Sequence, residues 1–305
     1  MPPRHSSDGA LFFFFSEQRG MSMSFFIRSN AKINISLRVV GKRADGYHEL
    51  KSLFFLLSSM ESLTITPQYD HNVNDLVEVS GEKVQGRNIL EEVIALARKR
   101  TDFPALQIRL EKSIPPGSGL GGGSGNAAAL AYWINSMTGG LTIRAEEIGS
   151  DVPFFFCGSP WAIVRGRGEK VFPLFSPPTS PKVLVAVPEW QMSTGEAYSL
   201  LDTVCGEEYP TSGKGAEAEI DSLIARLRDE KNIGLLPNDF APVLLNAHPE
   251  YELLFDLFKS TGAFGWGITG SGSAAFALFS KNVSLSDSFR EMSGLKWIRK
   301  IFCVE

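Results

Sequence analysis

The stretch "EKSIPPGSGLGGGSGNAA", Glu111 to Ala128, has a composition that asks for chemistry. Gly119, Gly121, Gly122, Gly123 and Gly125 fall within seven residues, separated by Leu120 and Ser124, and an alanine-rich run follows. Glycines admit positive φ and let several backbone N–H groups converge on an anion. A helix start adds unpaired N–H groups and the positive end of the helix dipole. Ser124 can cap that helix or help hold a cation. No lysine completes a G-x-x-x-x-G-K-[ST] pattern, and the acidic residue of a dinucleotide fingerprint is missing. The stretch therefore reads as a phosphate-binding loop of another kind. The plainer alternatives are a tight glycine corner and a flexible linker, and a linker would not lead straight into a helix.

Such a loop needs a strand before it and a helix behind it. "LQIRLEK" alternates with Leu106, Ile108 and Leu110 on one side, and a helix is predicted from Ser124 to Met137, stopped by Gly139-Gly140. Further upstream, "AKINISLRVV" puts Ala31, Ile33, Ile35, Leu37 and Val39 on one face and Lys32, Asn34, Ser36 and Arg38 on the other. That pattern predicts a half-buried strand. Asp45-Gly46 marks a turn carrying Tyr47 and His48, "SLFFLLSSMESLTIT" reads as more strand, and "RNILEEVIALARKR" as a helix capped at Asn88. A short helix is expected over 142–148, and a strand-and-turn region from Ser150 to Leu174. Pro177–Pro181 is the best linker. After it come a strand ("KVLVAVP"), helices near 216–228 and after Pro249, the apolar strand that ends "GITGSGSAAFALFS", and a closing helix and strand. The expected organisation is two α+β domains, 23–178 and 179–305, behind a disordered extension over residues 1–22.

The bulk numbers exclude several classes. With 305 residues and a net charge of -4, a broad nucleic-acid surface is disfavoured. "LFFFF", Leu11 to Phe15, is too short to cross a bilayer, and no membrane role is expected. Cys157, Cys205 and Cys303 lie far apart, with neither a disulfide framework nor zinc spacing, as in a cytoplasmic protein. His5, His48, His71 and His248 form no H-x-x-x-H pair.

"SNAKINISLRVVGKRADGYHEL", "PPGSGLGGGSGNAA", "GSDVPFFFCG" and "GITGSGSAAFALF", in this order, resemble the GHMP kinase superfamily. Within it they look like the kinases that act on 4-diphosphocytidyl-2-C-methyl-D-erythritol. The resemblance implies a fold with a ribosomal S5 domain 2-like N-terminal part and a ferredoxin-like C-terminal part. It also implies transfer of phosphate from ATP, with Mg2+, to the 2-hydroxyl of the methylerythritol unit. Phosphoryl transfer asks for a base or orienter, positive charge and donors to the phosphates. Carried over, Asp151 is the base or orienter, Lys32 polarises the hydroxyl, and Asn34 helps hold the methylerythritol. Pro116, Gly117, Gly119, Leu120, Gly121, Gly122, Gly123, Ser124, Gly125 and Asn126 form the ATP loop, with Ser124 the metal candidate. Tyr47 stacks on the cytosine, His48 reads its polar edge, and Thr194, Tyr198, Gly270, Ser271 and Gly272 complete the substrate side. Asn88 borders the adenine pocket or serves as a cap only. Trp190 receives no role. The expected partner is the cytidylyl-methylerythritol small molecule, with the chain a monomer or weak homodimer.

Residue by residue, plainer readings compete: a solvent-facing strand lysine for Lys32, a turn cap for Asp151, surface decoration for Tyr47 and His48, a tight β-turn for Gly267–Gly272. Two departures from the family pattern stand out. A proline is usual where Ser29 or Asn30 precedes Ala31, and a second serine is usual at Gly125. If that hydroxyl matters, Gly125→Ser should improve MgATP binding without loss of stability, and Gly122→Val should block the phosphates. The competing functions are another small-molecule kinase of the superfamily, of the homoserine or mevalonate type, and a non-catalytic nucleotide-binding protein.

Overall fold

The computed structural model describes residues 14–19, 22–70, 72–140, 143–206, 208–230 and 232–305. Phe14–Arg19 (β1) pairs antiparallel with Ser22–Lys42 (β2), and His48–Gln68 (β3) runs back along β2. The extension expected to be disordered is strand over Phe14–Arg19, paired with β2; residues 1–13, 20 and 21 lie outside the described residues. On β2, Ile33, Ile35 and Val39 are fully buried, as the alternation predicts. Lys32, Asn34 and Ser36 are buried too, so the strand is not half-buried. Its second face and free edge are covered by chain from far away: the Lys32 N–H donates to Leu120 O, the Asn34 N–H to Thr269 Oγ1 and the Leu37 N–H to Pro237 O.

Leu76–Gly81 (β4), the helix Ile89–Arg98 (α1) and Ala105–Lys112 (β5) come next, and then the long helix Gly122–Met137 (α2). β5 pairs antiparallel with the second half of β3 and parallel with β4. The helix expected over 142–148 is only a single 3₁₀ turn, Ala145–Glu147, with Thr142 outside the described residues. Val152–Phe156 (α3) is helical where strand and turn were expected, because Pro153 favours the first turn of a helix more than the aromatic run favours a strand. Trp161–Gly166 (β6) and Lys170–Pro173 (β7) form a hairpin, and β6 takes the first half of β3. The helices α1 and α2 bury Leu90, Val93, Ala127, Leu130 and Trp133 against this seven-stranded sheet.

Lys182–Pro188 (β8) opens the second sheet. Thr194–Cys205 (α4), Gly213–Arg228 (α5), Gly234–Leu235 (β9), Ala241–Ala247 (α6) and Glu250–Ser260 (α7) follow, then Gly265–Ile268 (β10), Ala275–Phe279 (β11), Ser286–Ser293 (α8) and Ile298–Val304 (β12). The order β12-β8-β11-β10, with β9 at the edge beside β10, is the four-one-three-two order of a ferredoxin-like sheet. One face packs α4, α6, α7 and α8 through Leu201, Leu244, Leu254, Phe258 and Met292. The other face joins Val183, Val185 and Phe276 to Ile33, Ile35 and Leu53 of the first sheet and to Ile220 and Leu223 of α5. This shared core presses the loops at the ends of β5 and β10 together.

Candidate active site

The glycine loop is bolted down from beneath by Glu61, on β3. One carboxylate oxygen accepts the N–H groups of Ser113 and Ile114 at 2.8 and 2.7 Å, where the chain leaves β5. The other accepts Asn126 Nδ2 at 2.7 Å, and Lys112 Nζ lies 3.2 Å from both oxygens. Asn126 Oδ1 accepts in turn from Ser29 Oγ at 2.5 Å. Above this network Gly117, Gly119 and Gly121 take φ of 73°, 78° and 66°. A Cβ on Gly119 would collide with the Thr269 carbonyl, so only glycine fits there. Gly121 starts α2 in the left-handed region and no side chain caps that helix, which leaves the first-turn amides to whatever lies outside.

The loop residues point in different directions. A Cβ on Gly123 would meet nothing within 4 Å, and Ser124 is half-buried, so these two line the open side. Gly122 aims at Ile114 and Glu61, Gly125 at the Asn30 carbonyl, and Leu120 and the Asn126 amide are buried. Side chains at those four positions face the protein, so any contact they make with a nucleotide runs through backbone. This corrects the expectations for Gly122→Val and Gly125→Ser, whose new atoms would enter the core.

Lys32 sits at the mouth of this loop and is only 4% exposed, which excludes a solvent-facing strand lysine. Its Nζ donates to Asn34 Oδ1 at 2.7 Å and to Gly119 O at 2.9 Å, and lies 3.7 Å from Asp151 Oδ2. Burial pushes the Lys32 ammonium below the usual lysine range, with the Asp151 carboxylate pulling the other way. Asp151 precedes α3 yet makes no cap hydrogen bond, so the turn-cap reading fails, and its partly exposed carboxylate faces Lys32 instead. Asn34 is engaged at both ends: Oδ1 also accepts from Thr269 Oγ1 at 3.2 Å, and Nδ2 donates to Ser52 at 3.0 Å. It stands behind the lysine and orients it.

A second wall faces the pair. Tyr198, on α4, stacks on His48 with centroids 4.3 Å apart, and the Asp151 charge reaches it. His48 Nε2 lies 2.7 Å from Asp202 Oδ1, which also accepts from Tyr209 Oη at 2.8 Å, while Asp202 Oδ2 accepts from Lys42 at 2.6 Å. Burial raises the Asp202 pKa, but hydrogen bonds from Lys42, His48 and Tyr209 outweigh it and hold the carboxyl at about 2. Tyr47 is exposed, with the Arg167 guanidinium 4.6 Å from its ring centre. Thr194 opens α4 beside Ser271, their hydroxyls 3.4 Å apart. Gly270 lies against the Gly119 backbone, whereas Gly272 faces Leu244 of α6.

Residues 88–159 match the family model for the GHMP kinases N terminal domain, and residues 220–292 that for the GHMP kinases C terminal. The chain is 31% identical over 284 residues to a 4-diphosphocytidyl-2-C-methyl-D-erythritol kinase of Nitratidesulfovibrio vulgaris, covering 90% of this chain and 96% of the relative. The chain belongs to the GHMP kinase superfamily. Another similar GHMP kinase, the 4-diphosphocytidyl-2-C-methyl-D-erythritol kinase of Leptospira interrogans, is 35% identical over 272 residues, 82% of this chain and 90% of that one. A crystal structure of 4-(cytidine 5'-diphospho)-2C-methyl-D-erythritol kinase superposes with a TM-score of 0.73 at 26% identity, covering 92% of this chain and 98% of the other. Homoserine kinase from Cytophaga hutchinsonii shares the fold, with a TM-score of 0.65 at 18% identity over 95% of this chain and 96% of that one.

Within this GHMP kinase, sequence reasoning missed Glu61, Asp202, Thr269 and Arg167. Asp202 was within reach, because it stands four residues after Tyr198 on one helix face. Glu61 showed only as a lone carboxylate in a strand of apolar and hydroxyl residues. Trp190 is now explained away from the site: it stacks on His248 and Trp297, and its Nε1 donates to Tyr251 Oη at 3.1 Å. Asn88 caps α1 by accepting the Leu90 N–H at 3.0 Å, while its Nδ2 has no hydrogen-bond partner among the described residues. Among the described residues no group of three or more His, Cys, Asp or Glu could hold a metal, and no helix is long and apolar enough to cross a membrane.

Proposed function

We propose that this GHMP kinase transfers the γ-phosphoryl group of ATP to the 2-hydroxyl of 4-diphosphocytidyl-2-C-methyl-D-erythritol, a step of non-mevalonate isoprenoid precursor synthesis. The observation that carries the reading is the stacked pair His48 and Tyr198, with Tyr198 within reach of the Asp151 charge that faces Lys32, and the exposed Tyr47 one residue before His48. An exposed tyrosine next to a histidine suits a flat, polar-edged base, for which homoserine and mevalonate have no use. The similarity to kinases named for this substrate, over 82–90% of this chain, supports the same choice.

On this reading Asp151 accepts the proton of the attacking hydroxyl as its oxygen bonds to the γ-phosphorus. The bond from that phosphorus to the bridging oxygen breaks, and ADP leaves. Lys32, held by Asn34 and Gly119 O, keeps a positive charge beside the oxygens where negative charge builds. The uncapped start of α2 and the open side at Gly123 fit the ATP phosphates. Mg2+, when bound, neutralises phosphate charge. The Ser124 hydroxyl is the side chain suited to it, and a hydroxyl with phosphate oxygens is a donor set that Mg2+ accepts. We divide the chain into an ATP-binding domain, 23–178, and a C-terminal domain, 179–305, that supplies Thr194, Tyr198 and Ser271.

Product analysis tests the assignment. After incubation with MgATP and the cytidylyl substrate, phosphorus and carbon NMR should show a new phosphomonoester coupled to the carbon that bears the methyl group. A phosphate on another hydroxyl, or no new ester, overturns it.

A further inference from the structure

The cytidine-recognising wall is short of free positive charge. It presents Asp45, Asp151 and Asp202, and three of its cations are already committed: Lys32 faces Asp151, Lys42 pairs with Asp202, and Arg43 pairs with Asp45 and Glu49. Arg167 differs. It sits in the turn between β6 and β7, and among the described residues its guanidinium makes no ion pair and lies over the face of Tyr47. The acid two residues on does not claim it: Glu169 Oε2 accepts the Arg167 backbone N–H at 2.6 Å, so this carboxylate closes the turn on itself. The Arg167 charge reaches Asp45, which is itself held by Arg43.

The next residue fixes where the turn itself stands. A Cβ on Gly168 would lie 3.1 Å from Asp151 Oδ1 and 3.2 Å from Ser150 O, so the turn backbone packs directly on the acid beside the reacting hydroxyl. Consecutive Cα atoms are about 3.8 Å apart. A single turn thus touches Asp151 through Gly168 and Tyr47 through Arg167. A ligand with a base on Tyr47 and a hydroxyl at Asp151 spans the turn that carries Arg167. In the substrate proposed above, the group connecting the two is a diphosphate.

We infer that Arg167 binds the diphosphate bridging the two ends of the acceptor substrate, and thereby selects nucleoside-diphosphate-linked alcohols over free ones. This rests on the cytidylyl reading under Proposed function. A planar guanidinium matches two phosphate oxygens with parallel N–H donors and can keep its contact with an aromatic face meanwhile. Held against Tyr47 before substrate arrives, it loses little freedom on binding.

Calorimetry on the full chain tests this, with the phosphate loop first saturated by a non-hydrolysable MgATP analogue so that probes meet only the acceptor site. The probes are cytidine and cytidine diphosphate. Wild type should bind the diphosphate more tightly. Arg167→Met should weaken cytidine diphosphate by about 10- to 100-fold, the scale of hydrogen bonds to a charged group, and cytidine by less than about twofold. Arg167→Lys should recover part of the loss, and affinity for the MgATP analogue should not change. If both probes weaken equally in Arg167→Met, the residue merely props Tyr47 and the inference falls. It falls also if neither probe weakens. If wild type binds neither probe, the cytidylyl reading itself is wrong and takes this inference with it.

Discussion

Gly125, in the first turns of α2, faces the carbonyl of Asn30 on β2 so closely that a Cβ there would stand far inside van der Waals contact. The two departures expected from the resemblance, at Ser29 or Asn30 and at Gly125, therefore lie side by side: Asn30 faces Gly125, and Ser29 bonds to the adjacent Asn126. Restoring the serine has nowhere to put its side chain. Gly125→Ser is expected to destabilise the protein by roughly 1–3 kcal/mol or more, as overpacking does, with no gain in MgATP affinity. Thermal and denaturant unfolding alongside MgATP calorimetry check this; an unchanged or higher Tm would mean that β2 yields easily at Asn30.

This correction shows what could be read in the sequence. The glycine run reads as an anion loop because the mechanism is local, in backbone dihedrals and a helix start, and the structure has both. The direction of each Cβ was hidden, because Gly125 faces Asn30 and Gly122 faces Glu61 through contacts between distant segments. The same cause hid the burial of Lys32 and Asn34: alternation along β2 cannot reveal that Leu120 and Thr269 arrive to cover its polar face. The helix α4 was local and was still missed. Ser193 and Glu196 form a capping box there, the side chain of one meeting the backbone of the other. Their signal was overlooked beside the substrate role expected for Thr194.

Gly123 is the proper probe of the phosphate loop, since its Cβ direction is open. Gly123→Val should leave stability within about 1 kcal/mol, the range of helix propensities, because nothing stands in the way. MgATP affinity should fall at least about tenfold, since a branched side chain would cover the uncapped amides. Unchanged nucleotide binding in the folded variant would reduce the run to a glycine-rich corner.

Lys32→Met separates catalysis from stability. Activity should fall by about 10²- to 10³-fold, the usual loss when a transition-state charge partner is removed. Stability should move the other way. Burial holds the Lys32 pKa below its unfolded value, so the unfolded chain binds more protons in the interval between the two, and wild-type stability rises with pH there. Methionine lacks this dependence. Its advantage should be full below the lowered pKa and vanish as pH climbs through the interval into the usual lysine range. Unfolding curves across alkaline pH decide; an advantage that grows with pH would contradict the lowered pKa.

Asp151→Asn should cut kcat by about 10²- to 10⁴-fold, the range for a general base, while substrate affinity measured independently changes far less. The carboxylate makes no cap hydrogen bond, so α3 should survive its loss. A near-normal kcat would remove Asp151 from the chemistry.

The most direct measurement of the central claim is a one-pot competition. Purified protein is given MgATP with equal concentrations of 4-diphosphocytidyl-2-C-methyl-D-erythritol, homoserine and mevalonate, and mass spectrometry follows which acceptor gains a phosphoryl group. The stacked His48 and Tyr198 near Lys32 and Asp151, with the exposed Tyr47 preceding His48, predict that the cytidylyl compound is consumed and the other two are left. Phosphorylation of homoserine or mevalonate at a comparable rate, or of none of the three, would contradict it.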